Sequence, residues 1–237
     1  MRIGFYEPGQ VKFPHRPYPK ATLRVVEKAI VEAWRIIRDN PAAGFDIATA
    51  DENRITRELR TCLLNQVLDG TAVPAFTSKT FDVNRGSEFE SYDGTHLQKK
   101  PDLHFAISRD IPYILRSADG LFVECKPVDA GHSIGGDYCD KGIARFVNGE
   151  YAWAMSIGYM VGYVKTGYVL PDKLKEGVQA RKKFLKTDGQ IQACPDTKAT
   201  GYIQHPYITI HNRGFRFPIT NAKATAITLR HLWCYRN

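Results

Sequence analysis

The chain has 237 residues, 43% of them apolar, enough to bury a sizeable core in one domain. No run of about 18 apolar residues occurs, which excludes a membrane-spanning helix, and Met1-Arg2-Ile3-Gly4-Phe5 lacks the apolar stretch of a secretory signal, so a cytoplasmic location is expected. The net charge of +8 is unevenly placed: from Lys173 onward 12 Lys and Arg face 3 Asp and Glu, whereas residues 1–172 hold 21 against 22. Such a basic quarter suits a phosphate-binding surface, or a solvated face that keeps the protein soluble.

Residues 1–19 carry four prolines and read as an extended arm. Leu23, Val26, Ile30, Trp34 and Ile37 recur at helical spacing and predict an amphipathic helix over 21–38, ended by Asn40-Pro41. A second helix is predicted from about Asp51 to Leu68, with Ile55, Leu59, Leu63 and Val67 inward and Asp69-Gly70 as its stop. The period then changes. Strands are predicted near 75–83, at 103–107 and at 121–128, with 113–116 extending the second or opening the third and Asp119-Gly120 turning between them. Gly135-Gly136 breaks the chain before a helix over 138–156, and a strand follows at 159–164. A basic helix over 173–185 and two closing strands, 207–211 and 226–232, complete the order. There is no repeat and no linker, so a single mixed α/β domain is expected over 1–237. It comprises an arm and helix (1–50), a core (51–165) and a basic end of helix and strands (166–237).

Cys62, Cys125, Cys139, Cys194 and Cys234 are odd in number and form no C-x-x-C pair, so reduced, buried thiols are expected. The chemistry concentrates in Leu121-Phe122-Val123-Glu124-Cys125-Lys126. Side chains alternate along a strand, so Glu124 and Lys126 share a face. A turn-linked strand pair would bring Asp102, at the mouth of the strand 103–107, close to Glu124. Two neighbouring carboxylates repel, and Mg²⁺ or Mn²⁺ would relieve that repulsion, with the Cys125 backbone carbonyl as a third oxygen. Lys126 would then hold or deprotonate a water that the metal acidifies.

Pro101-Asp102, followed by Glu124-Cys125-Lys126, resembles the PD-(D/E)XK signature of restriction-endonuclease-like nucleases. The resemblance covers residues 51–165. It implies a restriction-endonuclease-like mixed β-sheet core (αβββαβ), here with N-terminal helices and extra C-terminal strands. It also implies an Mg²⁺- or Mn²⁺-dependent phosphodiesterase acting on nucleic acid, DNA before RNA, in restriction, repair or defence against foreign DNA. Asp102, Glu124 and Lys126 take the catalytic roles, with Asp102, Glu124 and the Cys125 carbonyl on the metal. The family often adds a glutamate from the preceding helix: Glu52 is the candidate, with Glu58 competing and a helix-dipole role as the plainer account of Glu52. The Gln or Lys that some relatives carry on the following helix is missing, and Arg145 is the substitute, as a phosphate contact or as a partner of Glu150 or Asp140.

Arg181, Lys182, Lys183 and Lys186 on the basic helix, and Arg213 and Arg216 near the closing strands, are the expected nucleic-acid contacts. Tyr207, Phe215, Phe217 and Trp233 are interleaved with them, as stacking faces or as core. Two rivals stand beside this reading. One is a non-catalytic nucleic-acid-binding protein on the same fold. The other is a serine hydrolase using Gly131-His132-Ser133-Ile134-Gly135, which matches G-x-S-x-G, with Asp188 or Asp196 and His205, His211 or His231 as partners. The preceding strand, however, carries Glu124 and Lys126 where a parallel core strand would be apolar. There is no H-E-x-x-H and no Walker-type loop, so energy-driven motion would need a partner protein. A homodimer and a partner for targeting stay open.

Overall fold

The computed structural model describes residues 11–110, 114–165, 167–169, 171–194 and 206–236. The rest of the N-terminal arm, together with Tyr113, Asp196 and His205, lies outside them. Seven strands form one mixed sheet: β1 (Phe81–Asn84), β2 (Leu103–Ile107), β3 (Leu121–Val128), β4 (Ile157–Val164), β5 (Thr187–Ala193), β6 (Tyr207–His211) and β7 (Ile227–Tyr235). Their spatial order is β1-β2-β3-β4-β7-β6-β5. The outer pairs are antiparallel, and β4 runs parallel to both β3 and β7. Central β3 and β4 are buried almost throughout, as strands covered on both faces must be.

Helices cover both faces. α1 (Lys20–Asp39) and α2 (Glu52–Cys62, running on as a wider π-turn through Leu63–Val67) lie on one side. There Trp34 of α1 stacks on Tyr163 of β4, and Thr56 of α2 bonds the same tyrosine at 2.9 Å. α3 covers the other side; it is π-wound over Ile134–Ile143 and α-helical over Ala144–Val147. α4 (Asp172–Ala180) packs against it. The chain thus runs α2-β1-β2-β3-α3-β4, with α3 as the crossover between parallel β3 and β4. A smaller apolar cluster of Val11, Leu115, Trp153, Phe215 and Phe217 closes one end. The described arm is tied there by the His15 amide donating to the Ala154 carbonyl at 2.7 Å.

Several boundaries differ from the sequence reading. The strand expected over 75–83 starts only at Phe81, because residues 73–80 make successive turns that carry Phe76 into the core. Residues 116–118 form a single 3₁₀ turn instead of a strand. Gly135-Gly136 does not break the chain: Ser133 Oγ accepts from the Gly136 amide at 2.9 Å and caps α3. The helix stops at Val147, not near 156, since Gly149 turns left-handed at φ 70°. The basic helix ends at Ala180, not Leu185, and the chain turns at Lys186 (φ 49°) into β5, a strand absent from the sequence reading. β5 is an edge strand with mostly exposed residues, so it carries little apolar alternation.

All five cysteines are free thiols and buried. Among the described residues no helix is long and apolar enough to cross a membrane.

Candidate active site

The antiparallel register sets the site. Leu103 lies opposite Val123, so the next pair along the ladder is Asp102 and Glu124. Asp102 Oδ2 accepts from the Cys125 amide at 2.7 Å, which fixes the carboxylate at the strand end. Glu124 and Lys126 project toward α3, where Gly142 permits close packing: a Cβ there would lie 2.6 Å from Met160 Cε and 3.5 Å from Lys126 Cγ. Glu52 reaches in from the first turn of α2, which Asp51 caps by accepting from the Arg54 amide.

Three carboxylates and one carbonyl then meet at the Lys126 ammonium. Nζ lies 2.8 Å from Glu52 Oε1, 2.9 Å from Glu124 Oε1 and 3.8 Å from Asp102 Oδ2, and it donates to the Cys125 carbonyl at 2.9 Å. Arg145 Nη1 stands 3.1 Å from Glu124 Oε1, so Glu124 is its ion-pair partner, with Glu150 a weaker Coulombic neighbour. Glu150 pairs instead with Lys99 at 2.8 Å, and Asp140 with Arg181 at 2.8 Å. Tyr151 donates its hydroxyl to Glu124 Oε2. Glu58 is turned away and pairs with Arg57 at 3.0 Å, so the helix carboxylate at this cluster is Glu52.

Burial drives the electrostatics. Glu124 is fully buried, and burial, reinforced by Asp102, pushes its carboxyl up to about 7. Burial also raises Glu52, against the pull of Lys126. Lys126 is lowered by burial but raised more by Glu124, Asp102 and Glu52, and ends above its ordinary value. Burial and the Glu124 carboxylate hold the Tyr151 phenol well above its usual range, so it remains a donor.

Glu124 Oε1 has both cations within contact range yet makes no hydrogen bond. Neither cation directs an N–H along its lone pair, so the contact is Coulombic and an acceptor direction stays free. That lone pair, Asp102 and the Cys125 carbonyl are hard oxygen donors of the kind Mg²⁺ and Mn²⁺ take. The fit is one of donor chemistry: among the described residues no group of three or more His, Cys, Asp or Glu side chains is placed to hold a metal ion. The Lys126 ammonium fills the middle of the cluster. The site is accordingly a packed ion network and not a hollow. The groove of about 390 Å³ beside β1 and β2, lined by Ser78, Asp82, His104 and Arg116 among others, does not include it.

Among the described residues the hydrolase constellation does not assemble; Asp196 and His205 lie outside them. Ser133 Oγ is occupied in capping α3, and His132 Nδ1 pairs with Asp129 Oδ1 at 2.8 Å. His211 and His231 are buried with other partners, and no described histidine bonds Ser133.

The basic candidates separate. Arg181 pairs with Asp140, while Lys182, Lys183 and Lys186 are exposed on the turn after α4, not on a helix. Arg216 is exposed and donates to the Asn221 carbonyl at 2.7 Å. Arg213 corrects the expectation of a phosphate contact: it is 2% exposed. Its guanidinium donates to the carbonyls of Thr225 (2.7 Å), Trp153 (3.0 Å) and Ala152 (3.4 Å), and burial lowers its pKa to about 10. Buried Phe215 and Phe217 pack against it, and Trp233 is buried as well, so these aromatics are core; Tyr207 is half-buried. Arg213→Ala strands three carbonyls and is expected to cost about 3–5 kcal/mol in urea unfolding. Arg216→Ala is expected to stay within about 0.5 kcal/mol. Equal stability of the two variants would contradict the structural role of Arg213.

Sequence reasoning missed Tyr151, because the predicted helix ran through it. Asn148-Gly149 is a helix-stop signal that places Tyr151 in the following turn. No protein-family model matches this chain, and neither a curated protein nor a solved structure matches it significantly.

Proposed function

We propose that the chain is a metal-dependent nuclease hydrolysing phosphodiester bonds, with DNA as the favoured substrate. The observation that carries the reading is the convergence of Asp102, Glu124, Lys126 and Glu52 from two strands and a helix onto one buried point. The order α2-β1-β2-β3-α3-β4, with Asp102 at the mouth of β2 beside Glu124 in the middle of β3, supports a restriction-endonuclease-like core. So does the parallel β3–β4 pair crossed over by α3. When bound, Mg²⁺ or Mn²⁺ supplies charge neutralisation at the scissile phosphate and a more acidic water.

Asp102, Glu124 and the Cys125 carbonyl would hold the cation. Lys126, kept protonated by its three carboxylates, would exchange its contact with Glu124 for the attacking water and orient it by donating a hydrogen bond to its oxygen. Glu52 keeps the ammonium aimed by its 2.8 Å bond. Arg145, half-exposed beside Glu124, is placed to meet a phosphate oxygen. The Tyr151 hydroxyl holds the second Glu124 oxygen and leaves Oε1 for the cation.

The test incubates the protein with supercoiled and single-stranded DNA and with RNA, in Mg²⁺, Mn²⁺ or EDTA. Cutting that needs the cation is expected. Cutting that persists in EDTA, or none on any substrate, would remove the reading. In parallel, Mn²⁺ is expected to raise the Tm of the wild type and not of Glu124→Gln, since a ligand stabilises only a fold that binds it.

A further inference from the structure

The turn after α4 presents an aromatic side chain to solvent. Phe184 is 53% exposed and is the single aromatic among the exposed large apolar residues described, which are Leu97, Val169, Phe184 and Ile210. Exposed Lys182, Lys183 and Lys186 flank it, and none of the three makes an ion pair among the described residues. Arg181, by contrast, is held by Asp140. Phe184, Lys183, Lys186 and Arg181, with Ala180, border an open hollow of about 530 Å³, and Lys182 lies outside its lining.

The turn is braced from below. Leu185 is buried, its amide donates to the Arg181 carbonyl at 2.8 Å, and its carbonyl accepts from His211 Nδ1 at 3.0 Å. The Lys186 carbonyl accepts from the Asn212 amide at 2.9 Å. Phe184 therefore stands on a fixed backbone and gives up little conformational entropy when something stacks on it.

We propose that this turn is a platform for a single-stranded stretch of nucleic acid, with a base stacked on Phe184 and the neighbouring phosphates on Lys182, Lys183 and Lys186. The chemistry separates single strand from duplex. Lysines attract any phosphate backbone, but only an unpaired base has a free face for an aromatic ring. A purely electrostatic surface needs no exposed phenyl ring, and a purely apolar contact would not be flanked by three exposed ammonium groups with no ion-pair partner among the described residues.

The position also fits. Arg181 ties the turn to α3 through Asp140, and its guanidinium lies against Gly135, where a Cβ would sit 2.3 Å away. The same helix carries Arg145 to Glu124, so the turn and the charged cluster are anchored on one element. The inference rests on the nuclease reading for its choice of occupant, not for its geometry.

Binding is measured by fluorescence anisotropy in EDTA, with a labelled oligothymidylate and a duplex of equal length. Phe184→Ala is expected to weaken the single strand by about 5- to 100-fold while leaving the duplex within about twofold, and Phe184→Trp to restore the single strand. Lys182→Ala with Lys183→Ala is expected to flatten the salt slope by about 0.7 for each phosphate that no longer meets an ammonium group. An unchanged oligothymidylate affinity in Phe184→Ala overturns the platform, as does an equal loss on both substrates. So does a wild type that binds neither, the result a surface for an acidic protein partner would produce. Unaltered Tm values show that the variants are folded. Because no cleavage is measured, failure of the nuclease reading leaves this result legible, and the reverse holds as well.

Discussion

Glu124→Gln is expected to abolish cleavage, by roughly 10³-fold or more, while the protein remains folded. The loss corresponds to about 4 kcal/mol of transition-state stabilisation, the scale on which a metal clamp acts. Glutamine keeps the shape of the side chain and can still accept from Tyr151. It removes the anion that pairs with Lys126 and Arg145, and with it the carboxylate proposed to hold a divalent cation. Burial already disfavours that charge, so its removal is expected to leave Tm within a few degrees. Asp102→Ala is expected to cost as much activity, because it also frees the Cys125 amide that the carboxylate fixes. Lys126→Ala should separate chemistry from binding: anisotropy nearly unchanged, cleavage reduced by orders of magnitude. Full activity in either acid variant refutes the catalytic assignment. A parallel fall of binding and cleavage in Lys126→Ala would make the lysine a phosphate anchor.

The second large effect is acid lability above the ordinary carboxylate range. Four buried groups form one directed chain of hydrogen bonds beneath α3 and α4. His211 Nδ1 meets the Leu185 carbonyl at 3.0 Å, so that nitrogen carries the proton and Nε2 must accept from Thr209 Oγ1 at 2.7 Å. The hydroxyl oxygen then accepts from His231 Nε2 at 2.8 Å, and His231 Nδ1 accepts from the Tyr138 hydroxyl at 3.0 Å. Only two neutral imidazoles satisfy every link. An added proton breaks one of them in a dry environment.

Burial accordingly lowers His211 to about 4 and His231, next to it, to about 3, from an ordinary 6.5. The unfolded chain takes up these protons and the folded chain does not. Stability is therefore full above about pH 6.5 and falls as the pH drops toward 4, by about 1.4 kcal/mol per pH unit for each histidine. Burial also lowers His104, which acts in the same direction. Glu124 opposes them, since its folded value of about 7 lies above the ordinary 4.5. Urea unfolding of Glu124→Gln at about pH 6 and pH 5 removes that opposing carboxyl, leaving Glu52, also raised by burial, to act against the histidines. A fall corresponding to about two protons is expected. A fall corresponding to less than one would mean the chain of bonds reorganises to accept charge.

The two long amphipathic helices and the strands β2, β3, β4, β6 and most of β7 were legible in the sequence, because their periodicities come from burying one face or two. Asp102, Glu124 and Lys126 were legible for a related reason. A short apolar strand does not carry a glutamate and a lysine on one face without a partner, and the alternation of side chains names that face. The sequence by itself thus determined the mixed α/β character and the three charged residues that meet beside β2 and β3. What it left open was decided by tertiary contacts. Glu52 and Glu58 lie six residues apart on one helix, and only the docking of α2 across the sheet end turned the first toward Lys126. Tyr151 reached Glu124 because Gly149 ended α3 early, and Arg145 faced Glu124 because Gly142 let α3 pack closely on β3. Arg213 and Arg216, three residues apart, became a buried brace and a surface cation. Charge and spacing are local properties of a chain, whereas burial and the partner of a charge depend on which distant backbone arrives beside it.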